Sequence, residues 1–187
     1  MRRRLRPTPS QTELAALYAK PHQHSAWADH RVRVDVTTAL AQHMIQPGST
    51  VADLSCGDAT IARRLAASCG VKTILGDIAP GYEYTGPIEE TIHQLTDPIN
   101  LFICSETIEH VDDPDAVLKA IRSKTANLIL STPDGEDDDN NPEHVWGFDS
   151  EAVEQMLVTA GFIPLIFTEL DLRPAGFTYA YQIWCAR

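Results

Sequence analysis

The segment that most limits what this chain can fold into is Val51-Ala52-Asp53-Leu54-Ser55-Cys56-Gly57-Asp58-Ala59, followed by Thr60-Ile61-Ala62-Arg63-Arg64-Leu65. A short apolar run ends in a carboxylate, a turn of small residues follows, and apolar residues then recur at helical spacing. The pattern is that of a buried strand, a tight turn and an amphipathic helix. Such a turn aims backbone N–H groups and the positive end of a helix at a ligand, while an acid at the strand's end can hold an ammonium or hydroxyl group. This is the build of a nucleotide-type cofactor pocket. A dinucleotide fingerprint needs three glycines in G-x-G-x-x-G, and only Gly57 stands here among Ser55 and Ala59. A pyrophosphate cradle is therefore disfavoured.

A second run, Val71-Lys72-Thr73-Ile74-Leu75-Gly76-Asp77, follows at the distance that a strand–helix–strand unit requires. Asp77 at its end can accept hydrogen bonds from both hydroxyls of a ribose. Further along, Ile99 to Cys104 and Asn127 to Leu130 have the composition of buried strands, and Ile163 to Thr168 with Phe177 to Trp184 that of a terminal pair. Helices are predicted between them. Ser10 with Glu13 forms a capping box, Val32, Val36, Ala39 and Leu40 continue at helical spacing up to Pro47-Gly48, and Asp113-Pro114 opens another helix. Ser150 or Asp149 caps the last, which ends at Gly161. The expected fold is α/β, a Rossmann-like three-layer sandwich around a seven-stranded, mostly parallel sheet with an antiparallel last strand.

The first motif, Asp53 through Ala59, resembles that of class I S-adenosylmethionine-dependent methyltransferases, with Ser55 and Ala59 replacing two of that family's glycines. Ser105-Glu106-Thr107-Ile108-Glu109-His110-Val111 with Pro114 behind it, Ser131-Thr132-Pro133, and Gly161-Phe162 also look like that family's motifs, so the resemblance runs from Tyr18 onward. It implies S-adenosylmethionine as cofactor. It further implies that Asp53 lies near the cofactor's amino group, that Asp77 and Ile78 lie at its ribose, and that Ser55, Cys56, Gly57 and Ser105 contact it; Tyr18, in a polar, aromatic, proline-broken segment, is expected to contact it from a lid.

Chemistry is expected at Glu106, Glu109 and His110. If the chain turns helical after Cys104, positions i, i+3 and i+4 share a face, and two carboxylates and an imidazole converge at the carboxyl edge of the sheet. His144 follows the next strand by a loop that can bring it to the same edge. Two carboxylates with two histidines would suit an octahedral divalent ion, Mg²⁺ or Mn²⁺. The Glu-x-x-Glu-His pattern with a distant His is similar to that of metal-using O-methyltransferases acting on RNA 3′ ends or on polyprenyl catechols. Without metal, His110 or His144 would act as general base beside Glu106.

Composition sets the remaining limits. A chain of 187 residues with 43% apolar content is expected to be one domain. Residues 1–10 are expected as a flexible basic tail, and 11–48 as N-terminal helices and a lid in which Tyr18 and Trp27 face the ligand. No run approaches the roughly 18 apolar residues of a membrane helix, and no secretion signal is visible, so a soluble, cytoplasmic protein is predicted. The four cysteines are scattered, which favours neither zinc nor disulfides. A net charge of −11 disfavours nucleic acid as partner. The acidic stretch 135–141 would favour a cationic or metal-bound small molecule if it faces the substrate. The expected activity is methyl transfer to an oxygen or nitrogen of a small-molecule acceptor. The alternatives are RNA 3′-terminal 2′-O-methylation and non-catalytic binding of the cofactor.

Overall fold

Short apolar runs buried along nearly their whole length form the parallel centre of a seven-stranded sheet. The computed structural model describes residues 1–19, 22, 26–135 and 139–187. Along the chain come β1 (Arg2–Arg4), α1 (Gln11–Leu17), α2 (Ala28–Gln42), β2 (Thr50–Asp53), α3 (Thr60–Cys69), β3 (Lys72–Asp77), β4 (Tyr84–Thr85) and α4 (Ile88–Thr91). Then follow β5 (Leu101–Ser105), α5 (Pro114–Lys124), β6 (Leu128–Pro133), β7 (Trp146–Phe148), α6 (Ser150–Ala160), β8 (Pro164–Asp171) and β9 (Ala180–Ala186). The sheet order is β4-β3-β2-β5-β6-β9-β8, and β9 alone runs antiparallel to its neighbours. This is the Rossmann-like three-layer arrangement expected.

Alternation along the strands divides the core between the two faces of the sheet. Phe102 and Cys104 of β5 join Leu128 and Leu130 of β6 in a cluster with Val117, Leu118 and Ile121 of α5 and Val153 and Leu157 of α6. Leu101, Ile103 and Ile129 point the other way, onto Val34 and Ala41 of α2 and Ile61 and Leu65 of α3. The caps are those expected. Asp113 and Asp149 accept hydrogen bonds from the N–H groups of Ala116 and Ala152, and Ser10 and Glu13 close a capping box. The helix expected to reach Pro47 ends at Gln42, where the N–H groups of His43 and Met44 turn back to Leu40 and Ala41 in a tighter i→i−3 pattern.

The basic tail expected over residues 1–10 is instead ordered. Arg2–Arg4 pair antiparallel with Trp146–Phe148, and the Leu5 N–H continues the ladder to the Val145 carbonyl. The guanidinium carbons of Arg2 and Arg4 lie 4.2 and 5.0 Å from the Trp146 ring, while their nitrogens reach Asp115 at 2.5 Å and Asp112 at 2.8 Å. Cation–π contact and carboxylates from a distant part of the chain hold the arginines that solvent would otherwise take. At the other end of the sheet, β8 has no strand paired to its outer edge among the described residues and exposes Leu165, Ile166 and Phe167, with Ile163 beside them. No helix among the described residues is long and apolar enough to cross a membrane.

Candidate active site

A cleft of about 370 Å³ opens at the carboxyl ends of the parallel strands, where open α/β sheets bind ligands. Its floor on the β2–β3 side is the small-residue turn. The Cys56 N–H donates to the Gly76 carbonyl at 3.0 Å, and the Gly57 N–H to the Asp77 carboxylate at 2.7 Å. The other Asp77 oxygen accepts from the Ala79 N–H at 2.8 Å. Gly57 and Ala59 both have left-handed backbone, with φ of 53° and 57°. The turn thus keeps a glycine-like path at Ala59, where the Ala59 N–H closes onto the Cys56 carbonyl at 2.6 Å. Ser55, Gly57, Asp77, Ile78 and Tyr18 line the cleft. Asp53, Cys56 and Ser105 do not; with Arg33 they line a small recess behind the turn. Burial pushes the Asp53 carboxyl up to about 8. It raises Asp77 as well, against the two N–H groups that favour its charge.

The expected helix after β5 does not form. Glu106 adopts left-handed backbone at φ 53°, and the His110 N–H folds back onto the Thr107 carbonyl at 3.0 Å. Glu106 is therefore parted from Glu109 and His110. Its carboxylate accepts from the Ser131 hydroxyl at 2.9 Å and lies 3.8 Å from Nε of Arg33, a fully buried residue that also donates to the Ser105 and Ser131 hydroxyls. The four-residue ligand set is thereby corrected to three, because among the described residues only Glu109, His110 and His144 bring donor atoms within 4.8 Å of one another.

Glu109 sits behind the cleft wall, 1% exposed. One carboxylate oxygen accepts from the Thr132 hydroxyl at 3.0 Å; the other makes no hydrogen bond and lies 3.7 Å from Nε2 of His110. Burial, aided by the charge of Glu106 and opposed by His144, pushes the Glu109 carboxyl up to about 8. Nδ1 of His110 meets the Glu143 carbonyl at 3.0 Å, and the His110 and His144 rings are 4.8 Å apart. Nδ1 of His144 meets the Asp139 carboxylate, and its Nε2 faces the Asn141 amide at 3.0 Å. Burial opposes protonation of His144, yet the Asp139 hydrogen bond and the charges of Glu109 and Asp139 hold its pKa above the usual histidine value.

The loop carrying His144 is fastened from both sides. Glu109's carbonyl accepts the N–H groups of Val145 and Trp146 at 2.7 and 3.0 Å. From the other side the Arg6 guanidinium donates to the carbonyls of Asp139, Asn141 and His144. Tyr18, expected in a lid, donates its hydroxyl to Glu143 at 3.0 Å. Of the rest of that expected lid, Trp27 lines the cleft, while Lys20, Pro21, Gln23, His24 and Ser25 lie outside the described residues, as do Glu136, Asp137 and Asp138 of the acidic stretch. Sequence reasoning missed Arg6, Arg33, Tyr179 and Tyr181, and named Asp139 only as part of the acidic stretch 135–141. Only Arg33 carried a local signal, since it shares a helical face with the buried Val34, Thr37 and Ala41.

Fold and cleft together define a Rossmann-like α/β domain with a ligand cleft at the carboxyl edge of its sheet. A family model described as a methyltransferase domain matches residues 24–165, and the chain belongs to that family, an enzyme family of class I methyltransferases. No match is found among curated protein sequences. Among solved structures, the chain is similar to 1,6-didemethyltoxoflavin-N1-methyltransferase of Burkholderia thailandensis, solved with bound 1,6-didemethyltoxoflavin and S-adenosylhomocysteine. The TM-score is 0.70 at 15% identity, covering 97% of this chain and 92% of that one. It is similar to the [4+2]-cyclase SpnF, with a TM-score of 0.72 at 12% identity over 97% of each chain. It is also similar to the mycolic acid cyclopropane synthase CmaA1, solved with S-adenosylhomocysteine, with a TM-score of 0.63 at 12% identity over 95% of this chain and 94% of that one. Likeness at these identities is likeness of fold, which alone fixes neither acceptor nor reaction.

Proposed function

We propose that this protein transfers the methyl group of S-adenosylmethionine to an oxygen or nitrogen of a small-molecule acceptor. The observation that carries the reading is one cleft lined at its β2–β3 end by the Gly57 turn and Asp77 and, across it, by His110 and His144. Two of the solved structures named above hold S-adenosylhomocysteine, which supports the cofactor. The residues fit it. Each oxygen of Asp77 spends one lone pair on a backbone N–H and keeps another for a ribose hydroxyl, and the left-handed turn lets a ligand approach the main chain closely. The cofactor supplies an electrophilic methyl group, and the chain's part is to orient the acceptor and take its proton.

His110 is the base in this reading. With Nδ1–H donated to the Glu143 carbonyl, Nε2 carries the lone pair that accepts a proton. Glu106, fixed by Ser131 and Arg33, borders the cofactor's reactive end in this assignment. A second reading is favoured by the Glu109 oxygen that has no hydrogen bond. That oxygen and two imidazoles, each with Nδ1 already engaged, would suit a transition ion such as Mn²⁺ better than Mg²⁺, with Nε2 of His144 exchanging the Asn141 amide for the ion. An ion held there would supply Lewis acidity, lowering an acceptor hydroxyl's pKa. A small molecule is preferred to RNA because no arginine or lysine lines the cleft among the described residues.

The test is calorimetric titration with S-adenosylmethionine and S-adenosylhomocysteine, then with Mn²⁺ and Mg²⁺. Micromolar cofactor binding is expected, and a separate Mn²⁺ heat abolished by Glu109→Gln would favour the ion over the base. Absence of any cofactor binding refutes the function.

A further inference from the structure

We propose that the acceptor is a planar ring compound bearing no anionic group, held against a wall of aromatic side chains at the β9 end of the cleft. The inference rests on the cofactor occupying the β2–β3 end. Tyr181, the second residue of β9, pairs with Pro133, the last residue of β6, so it stands at the same carboxyl edge as the turn. Between β2 and β9 lie β5 and β6. Three strand spacings place the two ends about 14 Å apart, so a ligand anchored at Asp77 leaves the β9 end open to a second molecule.

Four aromatic side chains meet at that end in unbroken succession: Trp27, His30 and Tyr179 reach its surface, and Tyr181, fully buried, backs them. Ring centroids are 5.0 Å apart for Trp27 and His30, 5.8 Å for His30 and Tyr181, and 6.1 Å for Tyr181 and Tyr179. Tyr179 then meets His144 at 5.8 Å, which joins the wall to the imidazole pair. Interplanar angles of 46 to 65° mean that neighbouring rings are tilted to one another rather than stacked into a closed pile. Trp27 is 48% exposed although it lines a cleft, the condition of an aromatic surface that a ligand would cover. His30 adds to the wall without adding charge. Burial, with Arg33 alongside, pushes its pKa down to about 3, so it is neutral at physiological pH.

Charge sets the second half of the inference. The ionisable acids lining the cleft are Asp77, Glu89, Glu90, Glu106, Asp112 and Glu143, and no arginine or lysine lines it among the described residues. The imidazole of His144, whose pKa is raised, is matched by Asp139. A carboxylate or phosphate on the acceptor would lose its hydration without gaining a counter-ion.

The experiment uses the full chain saturated with S-adenosylhomocysteine, titrated calorimetrically at neutral pH with 2-naphthol, decahydro-2-naphthol and 6-hydroxy-2-naphthoate in the presence of a chelator. 2-Naphthol is expected to bind at least tenfold more tightly than either analogue. Trp27→Leu is expected to weaken 2-naphthol about fivefold, the loss of one aromatic contact, with unchanged affinity for S-adenosylhomocysteine. Equal binding of decahydro-2-naphthol, which is neutral but not planar, removes the stacking argument, and equal or tighter binding of the carboxylate removes the charge argument; either overturns the proposal, as does absence of 2-naphthol binding. Failure to saturate with S-adenosylhomocysteine instead overturns the methyltransferase reading, and this inference with it.

Discussion

Replacing Arg6 by alanine tests whether the first residues of the chain are part of the site. Its guanidinium donates to three carbonyls, at 2.6 Å to His144, at 2.7 Å to Asp139, and to Asn141. Each carbonyl belongs to the loop that presents His144, and the contacts are partly buried. A hydrogen bond to a charged group contributes about 1.5–3 kcal/mol when well shielded, and partial exposure lowers that toward about 1 kcal/mol each. The sum is a loss of about 2–4 kcal/mol, a large share of the ~5–15 kcal/mol that holds a domain together. Urea denaturation measures the loss directly, and hydrogen exchange over residues 139–145 locates it, with faster exchange expected in the variant. Arg6→Lys should recover only part of the loss, since an ammonium lacks the planar fork that reaches several acceptors at once. A solvated tail would give a change within about 0.5 kcal/mol and no change in exchange, and that result refutes the reasoning.

Asp77→Asn keeps the shape of the side chain but removes the charge from two ribose-directed acceptors, and S-adenosylhomocysteine affinity should fall about 10- to 100-fold by calorimetry. The protein without ligand should lose stability between pH 6.5 and 8: Asp53 and Glu109 keep their protons to about 8 in the folded chain and have released them in the unfolded one, so folding takes up protons. The raised pKa of His144 acts in the same direction, and the depressed one of His30 opposes it only below about 6.5. The slope should be on the order of 1 kcal/mol per pH unit from each acid, and Asp53→Asn should flatten it in pH-dependent urea titrations. Gly76→Ala should destabilise by about 1–3 kcal/mol in thermal melts, since a Cβ there would come within 2.8 Å of the Tyr84 carbonyl oxygen and 2.9 Å of Leu54 Cδ2.

The elements foreseen from the sequence are those whose cause is local. The Asp113-Pro114 and Asp149 starts, the Gly161 stop and the short apolar runs that become β3, β5 and β6 follow from the residues within or beside each element, and the structure has them. The candidate site was legible only in part. Asp77 and the Gly57 turn lie where strand–turn–helix logic puts a cofactor floor, whereas helical spacing misplaced Glu106, because its left-handed backbone depends on Ser131 and Arg33, 25 and 73 residues away in sequence. Arg6 failed for the same reason. Its three acceptors lie more than 130 residues downstream, so nothing near it distinguishes a fastener from a solvated arginine.

The unpaired border of β8 has a consequence for how the molecule behaves at high concentration. Leu165, Ile166 and Phe167 present an oily ribbon beside a row of main-chain donors and acceptors, a template on which another strand could grow. Pro164 at its start and Glu169 and Asp171 toward its end act as gatekeepers. Between them the chief safeguard is the long-range repulsion of a chain carrying a formal charge of −11. That safeguard has a range of about 10 Å at 0.1 M ionic strength and about 3 Å at 1 M, so colloidal stability should be greatest in dilute salt.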